Sequence, residues 1–149
     1  MIGDVSTPRK PKGGSCPING GIMERQKPHK KLDLWGKIID LVVFLYEITK
    51  PFPREEEFGL KAQIRRAGVS VPSNVSEGLT RRTRKDRVHF LNIAQSSLSE
   101  IDAQIEVSAR LGFVSKQIEA EANVRLSIVE MMLSGLIRSI STRQHITNH

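Results

Sequence analysis

From residue 32 onward, apolar residues recur three and four positions apart, the spacing of one face of an α-helix. Four such stretches follow one another, and no stretch alternates in the period of two that marks a strand. The first spans 32–49, with Leu34, Ile38, Leu41, Leu45 and Ile48 as a core stripe and Trp35, Ile39, Val42 and Tyr46 beside it. Pro51 and Pro53 stop it. The second spans 54–79, with Leu60, Ile64, Gly68, Val71, Val75 and Leu79 on its core face. Glu55, Glu56 and Glu57 fall in its first turn, where carboxylates meet the positive end of the helix dipole. Pro72 removes the bond to the carbonyl of Gly68. Both stripes keep their phase across it, so a kink is expected, with a break at Ser70–Pro72 as the alternative. Gly78 reads as the stop.

Thr83 then reads as an N-cap, with Asp86 three residues on in an acidic variant of the capping box. The third helix runs to about Leu111 on a stripe of Phe90, Ala94, Ser97/Leu98, Ile101, Ile105 and Ser108. Gly112 ends it, with Phe113 to supply the accompanying apolar contact. Ser115 caps a fourth helix, 116–140, whose Leu126, Val129, Leu133, Leu136 and Ile140 face one way. Four amphipathic helices with short connections predict an all-α, antiparallel up-down-up-down four-helix bundle over 32–141. Residues 142–149 read as a frayed tail and 1–31 as a disordered basic arm rich in Pro and Gly. Met23, just before the ordered pattern, is an alternative start. Helices 1 and 4 carry more apolar surface than one seam needs, which a second subunit or deep burial would cover.

Charge sharpens this picture. The 149 residues carry a formal +7. Residues 1–31 hold seven Lys/Arg against two acids, and residues 61–87 hold eight against Glu77 and Asp86. A basic tail and a basic patch favour polyanions, RNA or DNA, although a merely solubilising surface explains the tail as well. The lone cysteine, Cys16, excludes an internal disulfide framework and suits a reducing cytosol. No apolar run is long enough to span a membrane.

Catalytic chemistry finds little support. Bundle metal centres need two Glu-x-x-His pairs, and this chain offers only Asp86-x-x-His89. Ser70, Ser73 and Ser76 have no histidine near them, and no phosphate loop is present. Glu77 and Glu100 are a conceivable acid/base pair across helices 2 and 3, but structural carboxylates explain them better. No cofactor, metal or enzymatic activity is expected. Gln63, Arg66, Ser70, Asn74 and Glu77 form a polar seam, with Glu100 opposite, structural or inter-subunit in character. Lys61, Arg65, Arg81, Arg82, Arg84, Lys85 and Arg87 are the candidate phosphate-binding residues. Glu77 lies four residues before Arg81 and competes for it. With no interleaved aromatics, backbone or shape recognition is favoured over base stacking.

The run Phe52-Pro53…Glu57-x-Gly59-Leu60-x-x-Gln63-x-Arg65-Arg66-Ala67-x-x-Ser70-x-Pro72-x-Asn74-x-x-Glu77-Gly78, with Phe90-Leu91-x-x-Ala94-x-x-Ser97-Leu98-x-Glu100 after it, resembles the bacterial four-helix bundle proteins. That family includes proteins encoded in intervening sequences of large-subunit ribosomal RNA genes. The accessory variability proteins of diversity-generating retroelements are similar at a greater distance. The resemblance covers about 32–141. It implies a ring-like homo-oligomer, typically a pentamer, with nucleic-acid or reverse-transcriptase association in some members and no attached enzymatic activity. Gly68, Val69 and Ser76 depart from the usual pattern. Two functions compete: an oligomeric nucleic-acid-binding bundle, and a scaffold for a protein partner such as a reverse transcriptase.

Overall fold

The computed structural model describes residues 27–143, apart from the side chains of Lys30 and Lys31. Four helices account for most of it: α1 (Asp33–Thr49), α2 (Leu60–Thr80), α3 (Arg84–Arg110) and α4 (Lys116–Thr142). No strand occurs among the described residues. Each helix packs on the next, and α4 closes against α1, which makes an all-α four-helix bundle. The antiparallel register of α2 and α3 is set by Ser70 and Ser97, whose hydroxyls are 2.9 Å apart. Gln95 Nε2 donates to Ser134 Oγ at 2.7 Å and sets that of α3 and α4.

The core is aliphatic. Ile38, Leu41, Leu45, Ile64, Leu91, Leu98, Ile101, Ile105, Leu126 and Leu133 are fully buried. Each contributes roughly 1.5–3 kcal/mol by leaving water, which offsets much of the entropy of ordering the helices. The periodicity locates α1, α2 and α4 on their correct faces. On α3 it is one residue out of phase at the start: Leu91 is fully buried while Phe90 is half-buried. Phe90 instead lies under the guanidinium of Arg81, 4.7 Å from its ring centre.

Capping sets three helix termini as expected, both ends of α3 and the start of α4. Thr83 Oγ1 accepts from the Asp86 amide at 3.1 Å, and Ser115 Oγ from the Ile118 amide at 3.2 Å. Gly112 sits at φ 80°, and the amides of Gly112 and Phe113 return to the carbonyls of Ala109 and Ser108. This is the paired bonding of a Schellman end, and Phe113 completes it by stacking at an angle on Phe52, 5.5 Å away.

Three local expectations are corrected, and the alternative of a break at Pro72 is closed. The second helix does not begin at 54. Arg54–Glu56 form a separate 3₁₀ turn, and Gly59 interrupts the chain before α2. The three glutamates therefore precede the helix, and only Glu56 meets its backbone, accepting from the Leu60 amide at 2.8 Å. Pro72 does not break α2, which runs unbroken to Thr80. The proline ring crowds the Gly68 carbonyl, where glycine lets the backbone adjust, and packing of α2 on α1 and α3 holds the helix through the lost bond. Gly78 is not the stop but lies inside α2, where it lets α3 approach closely. Finally, Pro28–Lys31, the end of the stretch read as an arm, forms a 3₁₀ turn with His29 buried against Trp35, ring centres 4.4 Å apart. Residues 1–26, including Met23 and most of the expected arm, and residues 144–149 of the expected tail lie outside the described residues.

Candidate nucleic-acid interface

The antiparallel fold sorts the charges by end. Thr80, Arg84 and Thr142 bring the end of α2, the start of α3 and the end of α4 to one pole. Arg65 on α2 reaches Thr49 and Tyr46 on α1, so α1 and the 3₁₀ turn before it begin at that same pole. The described half nearest this pole comprises residues 27–40, 71–97 and 130–143. Without Lys30 and Lys31 it carries nine Lys/Arg and five acids; the other half carries eight Lys/Arg and nine acids. One pole is therefore strongly basic and the other close to neutral.

The seven candidate cations do not share one surface. Lys61 and Arg65 lie at the far pole and are engaged there. Lys61 Nζ holds Glu57 at 2.8 Å, and its side chain is largely covered. The hydrogen bond from Lys61 and then its charge, with a smaller contribution from Arg65, keep the Glu57 carboxyl below its ordinary range. Arg65 Nε donates to Thr49 Oγ1 at 2.9 Å and Nη2 to the Tyr46 carbonyl at 3.3 Å, with the guanidinium 4.5 Å over the Tyr46 ring. It caps the C-terminal end of α1, where a cation opposes the negative pole of the helix.

The five from the α2–α3 corner stay together but differ in freedom. Arg81 is bound to Glu77 and stacked on Phe90. Arg87 Nε donates to the Arg81 carbonyl at 2.7 Å and closes the corner. Arg84 Nη1 donates to the Ser141 carbonyl at 3.4 Å and ties α3 to the end of α4. Arg82 and Lys85 are exposed, and no hydrogen bond or ion pair from either side chain occurs among the described residues. Thr83, Arg84, Lys85, Val88 and Ser141 line an open groove between the corner and α4.

The polar seam runs along the α2–α3 face. Asn74 Nδ2 donates to the carbonyl and hydroxyl of Ser70, which in turn meets Ser97. Gln63 and Arg66 are exposed. Glu100 accepts from Gln104 on its own helix at 3.2 Å. The Ser70–Ser97 register sets Glu100 beside Ala67 and Glu77 beside Phe90. The two carboxylates are thus several turns apart, which rules out the acid/base pair. Asp86 and His89 form no ligand cluster: His89 packs edge-on to Phe90, ring centres 5.4 Å apart. Among the described residues, no three His, Cys, Asp or Glu side chains gather as a metal site. No described helix is long and apolar enough to cross a membrane.

Two cations escaped the sequence reading. Arg138 and Arg143 close α4 at the basic pole, both exposed. The signal was available, because no acid follows Glu130 in the chain.

A family profile, that of the 23S rRNA-intervening sequence proteins, matches residues 30–135. The chain belongs to that family. The match takes in all of α1, α2 and α3 and most of α4, so both the seam and the α2–α3 corner lie within it, whereas Arg138 and Arg143 lie beyond it. A solved structure similar to this chain is that of a protein of unknown function from the S23 ribosomal protein family of Bacteroides thetaiotaomicron. It aligns at a TM-score of 0.65 and 23% identity, over 70% of this chain and 97% of its own, and so shares the fold. No curated protein matches the chain significantly.

Proposed function

We propose that this family member is a non-enzymatic, self-associating four-helix bundle of the cytoplasm that binds structured RNA through its basic pole. The observation that carries the reading is the sorting of charge: the basic pole holds an excess of Lys/Arg over acids, with Arg82 and Lys85 exposed and without a side-chain partner among the described residues, whereas in the other half Lys50, Lys61, Arg65, Arg110 and Arg125 are held by an acid or a helix end. Exposed cations without an acid partner keep their full attraction for phosphate, and each phosphate contact releases a counterion. The family's description, which ties these proteins to intervening sequences of 23S rRNA, makes RNA the first polyanion to test. Arg81, Arg84 and Arg87 shape the corner and add to its field, whereas Lys61 and Arg65 belong to the scaffold.

Self-association rests on a separate observation. Val43 on α1 is 56% exposed and Val124 and Met131 on α4 are 60% and 67% exposed, more apolar surface than isolated side chains leave by chance. A ring, pentameric by resemblance, would cover it and set several basic poles on one assembly, raising avidity without new contacts.

The test is binding of a structured RNA hairpin measured against salt. Arg82→Ala with Lys85→Ala is expected to weaken binding about tenfold and to flatten the salt dependence by about two phosphate contacts. A protein partner docked on the exposed seam at Gln63 and Arg66, a reverse transcriptase among the candidates, would show instead as a nuclease-resistant complex that these substitutions leave intact.

A further inference from the structure

We infer that Arg138 and Arg143 complete the phosphate-binding surface, so that a double-stranded nucleic acid lies across the end of the bundle rather than along its side. The inference rests on the proposed function and adds its missing half: a second helix end, and the class and orientation of the ligand.

The geometry begins with Arg84, whose guanidinium bonds the Ser141 carbonyl across 57 residues of chain. That contact fixes the end of α4 beside the start of α3, with the open groove between them. Arg138 lies one turn before Ser141 and Arg143 two residues after it. Both are exposed, and no hydrogen bond or ion pair from either side chain occurs among the described residues. Upstream on the same helix the pattern is reversed. Arg125 is held by Glu121 at 2.9 Å and lies 4.6 Å over the Phe44 ring. At the far end of α3, Arg110 is likewise held by Glu106 at 2.9 Å. Arg110 and Arg125 thus each have an acid four residues earlier; at the basic pole Arg81 has one in Glu77, whereas Arg138 and Arg143 have none. For Arg138 the residue four earlier is Ser134, already bonded to Gln95; for Arg143 it is Ser139.

Neighbouring helix axes lie about 8–10 Å apart, so free cations at the α2–α3 corner and at the end of α4 are separated across the pole by a similar distance. A duplex carries a charge about every 1.7 Å along its axis, so one laid across the pole offers phosphates to both sets at once. Laid along the side of the bundle, it would meet Glu130 and Asp102, a carboxylate pair between α3 and α4. A single strand is disfavoured because the aromatic rings described at the pole are engaged: Phe90 lies beneath Arg81, His89 is packed edge-on to it, and Trp35 packs on His29.

A cation near a helix C-terminus also suits the helix itself, so the experiment must separate binding from stability. The full chain is titrated into a 20-base-pair RNA duplex and into one of its strands, with thermal unfolding recorded in parallel. Arg138→Gln with Arg143→Gln is expected to weaken duplex binding about tenfold and to lower the salt slope by about two, while the unfolding midpoint hardly moves. Arg138→Lys with Arg143→Lys is expected to restore most of the affinity. Arg110→Gln with Lys116→Gln, at the far pole, is expected to leave it unchanged. If the glutamine pair at 138 and 143 binds as the parent does while Arg82→Ala with Lys85→Ala weakens binding, the inference falls and the proposed function stands. If neither pair weakens binding, the proposed function falls with it. Equal loss from the far-pole pair, or equal affinity for the single strand, overturns the end-on placement.

Discussion

A single hydrogen at position 78 decides how closely α2 and α3 approach. A Cβ there would lie 3.0 Å from Phe90 Cβ and 3.1 Å from the Arg87 carbonyl oxygen, and backbone does not yield as a side-chain tip does. Gly78→Ala gains about 1 kcal/mol of helix propensity but meets an overpacking cost of about 1–3 kcal/mol. The expected net is a loss of about 1 kcal/mol in denaturant unfolding. Gly36→Ala is the control: nothing lies within 4 Å of its Cβ, so the propensity gain should appear as added stability. Arg65→Ala should cost about 1–3 kcal/mol by leaving the end of α1 uncapped, with Arg65→Lys recovering only part of it. Neither role was legible in the sequence. Glycine near a helix end reads as a stop, and an arginine one turn from a lysine reads as a charge patch. Only the neighbouring helix shows that the first is a spacer and the second a cap.

The helices themselves were legible because their signals are local. Thr83 with Asp86, Ser115, and Gly112 with Phe113 each act within one turn, and each does what its chemistry dictates. What local signals miss is phase and partnership. The start of α3 is rotated by one residue, burying Leu91, because Arg81 provides a cover for Phe90 that no periodicity contains. Glu130 shows the same limit. Burial, with Asp102 on α3 as a smaller cause, raises its carboxyl above the ordinary 4.5. The folded state therefore holds this proton more tightly than the unfolded chain. Stability contributed by the protonated form is present below the unfolded value and is lost as pH rises through the folded one. Glu130→Gln should accordingly raise the unfolding midpoint near neutral pH and leave it unchanged near pH 4.

At the scale of the whole molecule, composition identifies an excess of positive charge and the fold decides where it is free. The seven cations of the central segment read as one patch; folding sends Lys61 and Arg65 to the far pole and brings in Arg138 and Arg143 from the end of the chain. Self-association belongs to this scale too. If the proposed self-association holds, Val43→Glu with Val124→Glu should yield monomers in sedimentation where the parent chain sediments as an oligomer, and with the basic pole intact the proposed RNA binding should persist at reduced avidity. The central claim is that the basic pole binds nucleic acid. It is tested most directly by hairpin RNA affinity across a salt series, for the parent chain and for Arg82→Ala with Lys85→Ala. The account predicts affinity that falls steeply with salt in the parent, and in the variant a loss of about tenfold with a slope shallower by about two. Affinity independent of salt, or a variant indistinguishable from the parent, would contradict it.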